Sequence, residues 1–488
     1  MERELWNSRT GFVLAAVGSA VGLGNIWRFN YIVYENGGGA FLIPYLVAMF
    51  TVGISMMILE FSLGSKFRGA APLSMKRAKG CFEWIGWWAA LASFIITMYY
   101  VVIVSWALVY LGKAFTLGWG DDTNAYFFEN VLHISDSIWD LGGFTPEVLL
   151  GVAVVWAIAW IIVVRGVQRG IELANKFFMP LLWVLVLVLV LRALTLDGAF
   201  MGIDWYLKPN FEKLLDYRVW LAAYGQIFYT LSLGMAIMIA YSSYLPPKSD
   251  IVNNAFIVTL SNGAFSFLVG FAVFGTLGYM AESSGQRIED VVASGIGLAF
   301  VAFPQALNML PGLKVLTAVI FFSCLLVAGL SSLVSLVEAF VAAIMDKFQI
   351  GRRRAVNFTV GVGLLGSFLY ATNGGLYWLD IMDHFINVYG LLLVGVLEAV
   401  AIGWLFGAED IREWANAHSD VKAGIWWNFS IKVIVPLVIL ALIMEEFLAN
   451  LAVPYNNYPP MAIVLVLALM AGGIMLSVVM SCIKRGEN

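Results

Sequence analysis

The segment at 18–30, GSAVGLGNIWRFN, constrains this chain most because it sets three glycines, two asparagines and an arginine within apolar sequence. The apolar runs at 11–21 and 26–33 together have the length of a membrane span. Each glycine destabilises a helix interior by about 0.5–1 kcal/mol relative to alanine. Hydrocarbon tolerates irregular backbone only where protein buries it or where it lines a watery cavity. We therefore predict a broken transmembrane helix with Asn25 and Arg28 at a site for ions or charged solutes, and we interpret the chain as a transporter.

The composition of the whole chain is typical of an all-α polytopic membrane protein. Hydrophobic residues make up 61%, charged residues 12%, and the mean hydropathy is +0.86. The chain is predicted to form one membrane domain over 1–488 with short tails. Its apolar segments predict twelve spans, numbered here in chain order, near 10–35, 40–64, 84–112, 147–165, 174–195, 220–244, 252–280, 313–345, 356–371, 376–406, 424–446 and 460–482.

Basic residues predict the orientation of the spans. If the N-terminus is cytoplasmic, most lysines and arginines fall in cytoplasmic loops and ends, whereas the loop after span 3 is acidic, with Asp121, Asp122 and Glu129. This bias predicts that both termini are cytoplasmic. The net charge of −4 with dispersed basic residues gives no reason to expect a nucleic-acid partner. The three cysteines show neither a disulfide pattern nor metal-ligand spacing.

A second interruption lies in the sixth predicted span, where Gly225 and Gly234 flank the polar residues Gln226, Thr230 and Ser232. In such a break, half-helix N-termini face an anionic group and freed carbonyls coordinate cations. We therefore interpret it as a second broken span that supports the first.

Four motifs resemble those of a known family. They are the segment 18–28, the run ENGGGAF at 35–41, the segment 225–234 and the run AGLSS at 328–332. In this order they resemble the neurotransmitter:sodium symporter family, close to its prokaryotic amino-acid transporters such as the bacterial leucine transporter. The resemblance implies a prokaryotic cell membrane and two inverted five-helix repeats, about 8–197 and 215–406, with additional helices at about 424–482. The chain departs at Asn30, where many relatives carry proline, and at Tyr229, where the leucine transporter has phenylalanine.

The resemblance implies two sodium sites built from oxygen ligands, which Na⁺ prefers. The first would also use the substrate carboxylate, so that ion and substrate bind cooperatively. From the residues alone, the serines could instead bond back to their own helix, and the asparagines could join neighbouring helices. The implied ligands are Ala20, Asn25, Thr230 and Asn262 at the first site, and Gly18, Val21, Ala328, Ser331 and Ser332 at the second.

The same helices supply the implied substrate pocket. Gly22 stands where monoamine-transporting relatives carry an aspartate, so the expected substrate is an α-amino acid with a carboxylate of its own. Ile96, Met235 and Leu336 favour a hydrophobic or aromatic side chain, although each of them taken singly is more often a packing residue. The implied lining is Ser19, Ala20, Gly24, Ile96, Tyr100, Tyr229, Ser232, Met235, Ser332 and Leu336.

Charged residues near the ends of the spans resemble the gates of the family. Arg28 and Asp383 match the outer ion pair, and Arg3 and Asp346 match the inner one, with Trp6 and Tyr244 around it. Unpaired charges in a membrane are costly and are functional candidates by default. The roles of Glu60, Glu338 and Glu398 stay open, with structural roles favoured.

A chloride requirement is a further hypothesis from the resemblance. Ser266 stands where chloride-independent prokaryotic relatives supply a carboxylate, and no Asp or Glu occurs from 251 to 281. Chloride-dependent relatives have serine at this place. Alternatively, Ser266 only packs and another group, such as Glu60, supplies the charge. The implied anion ligands are Tyr45, Gln226, Thr230, Asn262 and Ser266.

Together these features predict a sodium-coupled symporter that imports hydrophobic or aromatic L-amino acids by alternating access, with a small-molecule substrate and the bilayer as its partners. The sequence shows no nucleophile–base pair and no phosphate-binding loop that would indicate an enzyme. The alternative is a sodium-dependent amino-acid sensor with the same fold and little turnover. The sequence leaves open the preferred amino acid, the ion stoichiometry, the chloride requirement and the oligomeric state.

Overall fold

The computed structural model describes residues 3–287 and 295–486, and these residues form helices with no β-strand. Eight described helices are long and apolar enough to cross a membrane, and a bent pair makes nine. The prediction of an all-α, multi-pass membrane protein is confirmed. Helices also cover predicted spans 6, 9 and 11, so twelve spans stay a prediction. The helices in these positions are Arg9–Ala20 with Leu23–Glu35, Gly39–Phe67, Gly80–Ala114, Pro146–Val164, Val167–Leu194, Tyr217–Thr230 with Ile237–Ser242, Ile251–Ser284, Lys314–Phe348, Arg352–Tyr370, Gly375–Ala417, Ile425–Phe429 with Ser430–Ile434 and Val435–Ala452, and Pro460–Cys482.

Shorter helices connect the spans. Ala71–Ala78 lies between spans 2 and 3, and Ala199–Leu207 lies between spans 5 and 6. Further short segments are Thr123–Ala125, Tyr126–Val131, Phe211–Leu215, Gly295–Met309 and Tyr455–Asn457.

Span 1 is broken where the glycines predict it. Its two halves meet at 61°, because the first helix ends at Ala20 and Gly22 has extended backbone with φ −126° and ψ −165°. The first half begins at the N-cap Ser8, whose hydroxyl accepts a hydrogen bond from the Gly11 amide at 3.0 Å. The second half carries Asn25 and Arg28.

Span 6 is broken at 231–236, where the backbone adopts left-handed conformations. Ser232, Gly234 and Ala236 have φ of 55°, 71° and 60°, which only glycine adopts without steric cost. Neighbouring spans hold this irregular backbone. The Glu60 carboxylate accepts a hydrogen bond from the Gly234 amide at 2.8 Å, and the Ser93 hydroxyl donates to the Met235 carbonyl at 2.5 Å.

Spans 3 and 8 pack against each other next to the two breaks. Phe94 of span 3 and Phe340 of span 8 stack in parallel with their ring centroids 4.2 Å apart. In contrast, spans 5 and 12 expose leucines such as Leu191 and Leu469, as expected of helices that face lipid. The interior of the molecule therefore surrounds the breaks.

The connecting helix Ala199–Leu207 packs closely on span 7 through Gly202, where a Cβ would overlap the Phe274 carbonyl. We expect Gly202→Ala to destabilise the protein by about 1–3 kcal/mol through overpacking. Gly361→Ala is the control because no atom lies within 4 Å of its added Cβ. Thermal unfolding in detergent measures both. Equal unfolding temperatures for the two variants would contradict this account of the packing.

Candidate substrate and ion site

A cavity of about 460 Å³ lies between the breaks of spans 1 and 6 and is completed by spans 3 and 8. All ten residues predicted to contact the substrate line it, namely Ser19, Ala20, Gly24, Ile96, Tyr100, Tyr229, Ser232, Met235, Ser332 and Leu336. Sequence reasoning did not identify Leu23, Ile237 and Ser335 as lining residues. The position of Ser335 one helical turn after Ser331 and Ser332 could have indicated it.

Gly22 keeps one end of this cavity open. A Cβ at this position would lie 2.7 Å from the Ser332 hydroxyl and 3.5 Å from the Tyr100 hydroxyl. The absent side chain therefore leaves space between two hydroxyl groups and the free end of a half-helix, where a carboxylate is stabilised by hydrogen bonds and by the helix dipole.

Tyr229 covers the cavity. Its ring lies 2.8 Å from the position of a Cβ on Gly24, and the Arg28 guanidinium stacks on the ring, 4.2 Å from the ring centroid. The tyrosine thus separates the cavity from a vestibule of about 1050 Å³ that Arg28, Asn387 and Glu446 help to line.

The amide of Asn25 ties span 1 to span 7, and Asn262 connects this contact to Thr230 of span 6. The Asn25 side-chain oxygen accepts a hydrogen bond from the Gly22 amide at 2.9 Å, and its nitrogen donates to Asn262 Oδ1 at 2.8 Å and Ser266 Oγ at 2.7 Å. Thr230 Oγ1 donates to the same Asn262 oxygen at 3.3 Å. Four side chains predicted to bind ions are therefore in direct contact. These bonds also fit the alternative reading of the asparagines as links between helices.

Within and next to this cluster, several buried polar atoms lack a hydrogen-bond partner among the described residues. They are the Tyr45 hydroxyl, the Asn262 side-chain nitrogen, and both the nitrogen and the oxygen of the Gln226 side chain. Buried polar groups in native proteins nearly always have a partner. Donors without acceptors fit an anion, so the residues predicted for chloride have suitable chemistry for one.

The predicted second sodium site lies where spans 1 and 8 meet. The Gly22 amide, which would continue the helix by bonding to the Gly18 carbonyl, bonds to Asn25 instead, so that carbonyl is available. The Ser332 hydroxyl lies 3.5 Å from the Gly18 carbonyl and 3.3 Å from that of Ser19. Ser331 bonds back to the Ala328 carbonyl at 2.9 Å, which is the alternative that the sequence left open. Val21 adjoins Gly22 at the end of the first helix.

Span 5 contributes a polar residue that sequence reasoning missed. Asn175 is fully buried and donates to the Ile171 carbonyl at 2.9 Å, while its amide oxygen has no partner in the described part of the chain. That oxygen occupies the place where a Cβ on Gly18 would lie. Its position within an apolar span was the available signal.

The inner ion pair is closed. Arg3 Nη1 lies 2.8 Å from both carboxylate oxygens of Asp346, and its guanidinium also donates to Ser243 Oγ at 3.0 and 2.6 Å. Trp6 anchors the same segment by donating its backbone amide to the Tyr244 carbonyl at 2.9 Å. Arg3 and Trp6 therefore hold the segment before span 1 against the ends of spans 6 and 8.

Comparison with known proteins agrees with this geometry. The sequence model of the sodium:neurotransmitter symporter family matches residues 3–126 and 120–487. An uncharacterised sodium-dependent transporter of Methanocaldococcus jannaschii is 49% identical over 94% of this chain and 93% of its own length. The chain belongs to the sodium:neurotransmitter symporter family. The resemblance predicted from the motifs is thus confirmed.

Two vertebrate members of the symporter family are also similar. A human sodium- and chloride-dependent neutral and basic amino acid transporter is 33% identical over 90% of this chain and 79% of its own length. A mouse sodium- and chloride-dependent GABA transporter is 32% identical over 94% of this chain and 82% of its own length. These relatives are therefore named as sodium-dependent transporters, and two of them also as chloride-dependent.

The outer ion pair expected of a symporter is not formed, and this prediction needs correction. Arg28 stacks on Tyr229. Asp383 instead accepts hydrogen bonds from Tyr99 Oη at 2.7 Å and Asn387 Nδ2 at 2.9 Å. Each charge is thus held by a neighbour of its own, and no nitrogen–oxygen pair of Arg28 and Asp383 lies within 4.0 Å.

The three glutamates left open by the sequence have different surroundings. Glu338 is buried and bound by Arg352 at 2.7 and 3.0 Å and by the Tyr244 hydroxyl at 2.6 Å, so it supports the inner gate. Glu60 holds the Gly234 amide. Both oxygens of the buried Glu398 lack a partner among the described residues.

Glu60 offers a direct test of how span 6 is held. Glu60→Leu should strand the buried Gly234 amide and lower the free energy of unfolding by about 1–3 kcal/mol. Glu60→Gln keeps an acceptor oxygen and should retain most of the stability. Thermal unfolding in detergent distinguishes the two, and an equal loss in both variants would remove the hydrogen bond as the cause.

Proposed function

We propose that the protein is a sodium-coupled symporter that imports hydrophobic or aromatic L-amino acids by alternating access. The observation that carries this proposal is the cavity between two broken helices, which has hydroxyls and free backbone at one end and apolar side chains at the other. We further propose that it lies in a prokaryotic cell membrane, which the archaeal relative supports, and that both termini are cytoplasmic, which the distribution of basic residues supports.

The substrate would bind with its carboxylate at the free end of span 1, near Tyr100 and the space left by Gly22. Its amino group would face the carbonyls freed by the break in span 6. Ile96, Met235 and Leu336 would contact its side chain, and a flexible methionine adapts to varied shapes. No Asp or Glu lines the cavity, which supports a zwitterion rather than a simple amine.

Two sodium ions would hold the substrate and the helices in place. The first would use Ala20, Asn25, Thr230 and Asn262 together with the substrate carboxylate. Because the substrate carboxylate would itself be a ligand of the first ion, ion and substrate would each strengthen binding of the other. This coupling free energy is what symport requires. The second would use Gly18, Val21, Ala328, Ser331 and Ser332, joining spans 1 and 8.

Alternating access would follow because the two sides of the cavity are closed by different contacts. The inner side is closed by Arg3 and Asp346, whereas only Tyr229 and its neighbours separate the cavity from the outer vestibule. Opening the inner side requires the segment around Trp6 to leave its contacts with span 6. A sensor of the same fold would bind sodium and substrate without completing this step.

Chloride would balance the charge of the loaded site. Two sodium ions and a zwitterion leave excess positive charge in a place that excludes water, and a nearby anion offsets it. The unpartnered donors of Tyr45, Gln226 and Asn262 support this proposal, as does the absence of a carboxylate from 251 to 281. Ser266 and Thr230 would complete the anion site.

The sodium assignment is tested by equilibrium binding of a radiolabelled amino acid, with a panel of twenty to find the substrate. Asn25→Ala and Ser332→Ala should each weaken binding in Na⁺ at least tenfold, about 1.4 kcal/mol. The control Ser477→Ala removes a hydroxyl that bonds back within span 12 and should bind normally. Equal binding by the unmodified protein in K⁺ and Na⁺ would show that the ion sites are wrongly assigned.

The chloride assignment is tested by uptake into proteoliposomes at constant Na⁺. Replacing chloride with gluconate should reduce uptake severely, because the donors then lack an anion. Ser266→Glu should restore uptake without chloride by supplying a fixed negative charge, and Ser266→Ala should not. Unchanged uptake in gluconate would contradict a chloride requirement.

A further inference from the structure

A second cavity, of about 1090 Å³, opens beneath the inner gate and is strongly basic. Five arginines from five separate parts of the chain line it: the segment before span 1, the end of span 2, the helix Ala71–Ala78, the start of span 9 and the C-terminal tail. They are Arg3, Arg68, Arg77, Arg352 and Arg485.

The two carboxylates that line the same cavity are already engaged. Asp346 is bound by Arg3 and also accepts a hydrogen bond from the Ala70 amide at 2.7 Å. Glu4 accepts one from the Val167 amide at 2.6 Å and lies 3.5 Å from Arg352 Nε. The remaining positive charge of the cavity is therefore not balanced by its own acidic residues.

Three of the arginines have no ion-pair partner among residues 3–287 and 295–486. Arg77 donates only to the carbonyls of Phe67 and Arg68. Arg485 donates to the Asp346 backbone carbonyl at 2.9 Å, and Arg68 forms no ion pair. Burial lowers the pKa of Arg77, the charges of Arg485 and Arg3 lower it further, and Asp346 opposes them. The positive charges of Arg485 and Arg3 therefore repel that of Arg77 within the cavity.

We propose that this cavity binds a phosphate-type oxyanion through Arg68, Arg77 and Arg485. The planar guanidinium group matches phosphate with paired hydrogen bonds, and charge-assisted bonds of this kind are among the strongest in proteins. Because the tail also bonds to the end of span 8 through the Gly486 amide and the Lys347 carbonyl, one anion would link the tail to the loop region between spans 2 and 3. The ligand is free phosphate or the headgroup of an anionic lipid, which share this chemistry.

The test is the unfolding temperature of the full chain in a zwitterionic detergent, at constant ionic strength and constant chloride, with increasing inorganic phosphate. At about ten times the Kd, phosphate should raise it by a few degrees. The double variant Arg77→Gln/Arg485→Gln should lose this rise. The single variant Arg485→Gln, in the exposed tail, should reduce the rise. It replaces the double variant in the test if the double variant does not fold. Arg353→Gln removes an exposed arginine outside the cavity and should retain the rise.

A second arm identifies the source of the phosphate group. Lipid nanodiscs with an anionic phospholipid are compared with purely zwitterionic ones, using the same variants. A rise with anionic nanodiscs alone assigns the site to a lipid headgroup, and a rise with inorganic phosphate assigns it to the free anion. The proposal is overturned if neither ligand raises the unfolding temperature, if the double variant responds as the unmodified protein does, or if Arg353→Gln loses the response equally. Because this readout requires no transport, it stands or falls separately from the proposed symport.

Discussion

Backbone amides and carbonyls that cannot remain unbonded in hydrocarbon determine where this membrane protein can bind polar ligands. In most of the described spans the helix satisfies them internally, whereas the breaks in spans 1 and 6 release them around the cavity. Each break is then stabilised by a side chain: Asn25 takes the Gly22 amide, and Glu60 takes the Gly234 amide. The groups left over, above all the Gly18 carbonyl, face the protein interior. The cavity, the candidate ion ligands and Tyr229, which covers the cavity, all surround these groups.

Much of this arrangement follows from sequence because the signals are local. Glycines and polar residues within apolar spans mark the breaks, and the family motifs then place residues such as Tyr100 and Leu336 in the same cavity. Contacts between distant segments are harder to predict. Nothing in the sequence indicates that Arg28 stacks on Tyr229 while Tyr99 and Asn387 hold Asp383. The unpartnered Asn175 oxygen against Gly18 likewise depends on how spans 1 and 5 pack, which periodicity does not determine.

Charge balance connects the site to the membrane environment. Cations bound in a low-dielectric interior need nearby negative charge or oriented dipoles, and the cavity has no acidic side chain of its own. One oxygen of Glu60 accepts from the Gly234 amide and the other has no partner among the described residues, and the donors around Ser266 support the exchangeable anion proposed above. The basic cavity beneath the inner gate has a similar need, because its arginines require nearby negative charge. In both places the chain presents unbalanced groups that a small ion from solution would complete.

The central claim is that sodium and substrate move together, and reciprocal coupling tests it most directly. Proteoliposomes with equal Na⁺ on both sides and traces of radioactive Na⁺ are given an inward gradient of the amino acid that binds best. The account predicts that Na⁺ moves inward together with the amino acid, although Na⁺ has no gradient of its own. Amino-acid uptake with no accompanying Na⁺, or tight sodium-dependent binding with no flux of either, would contradict it.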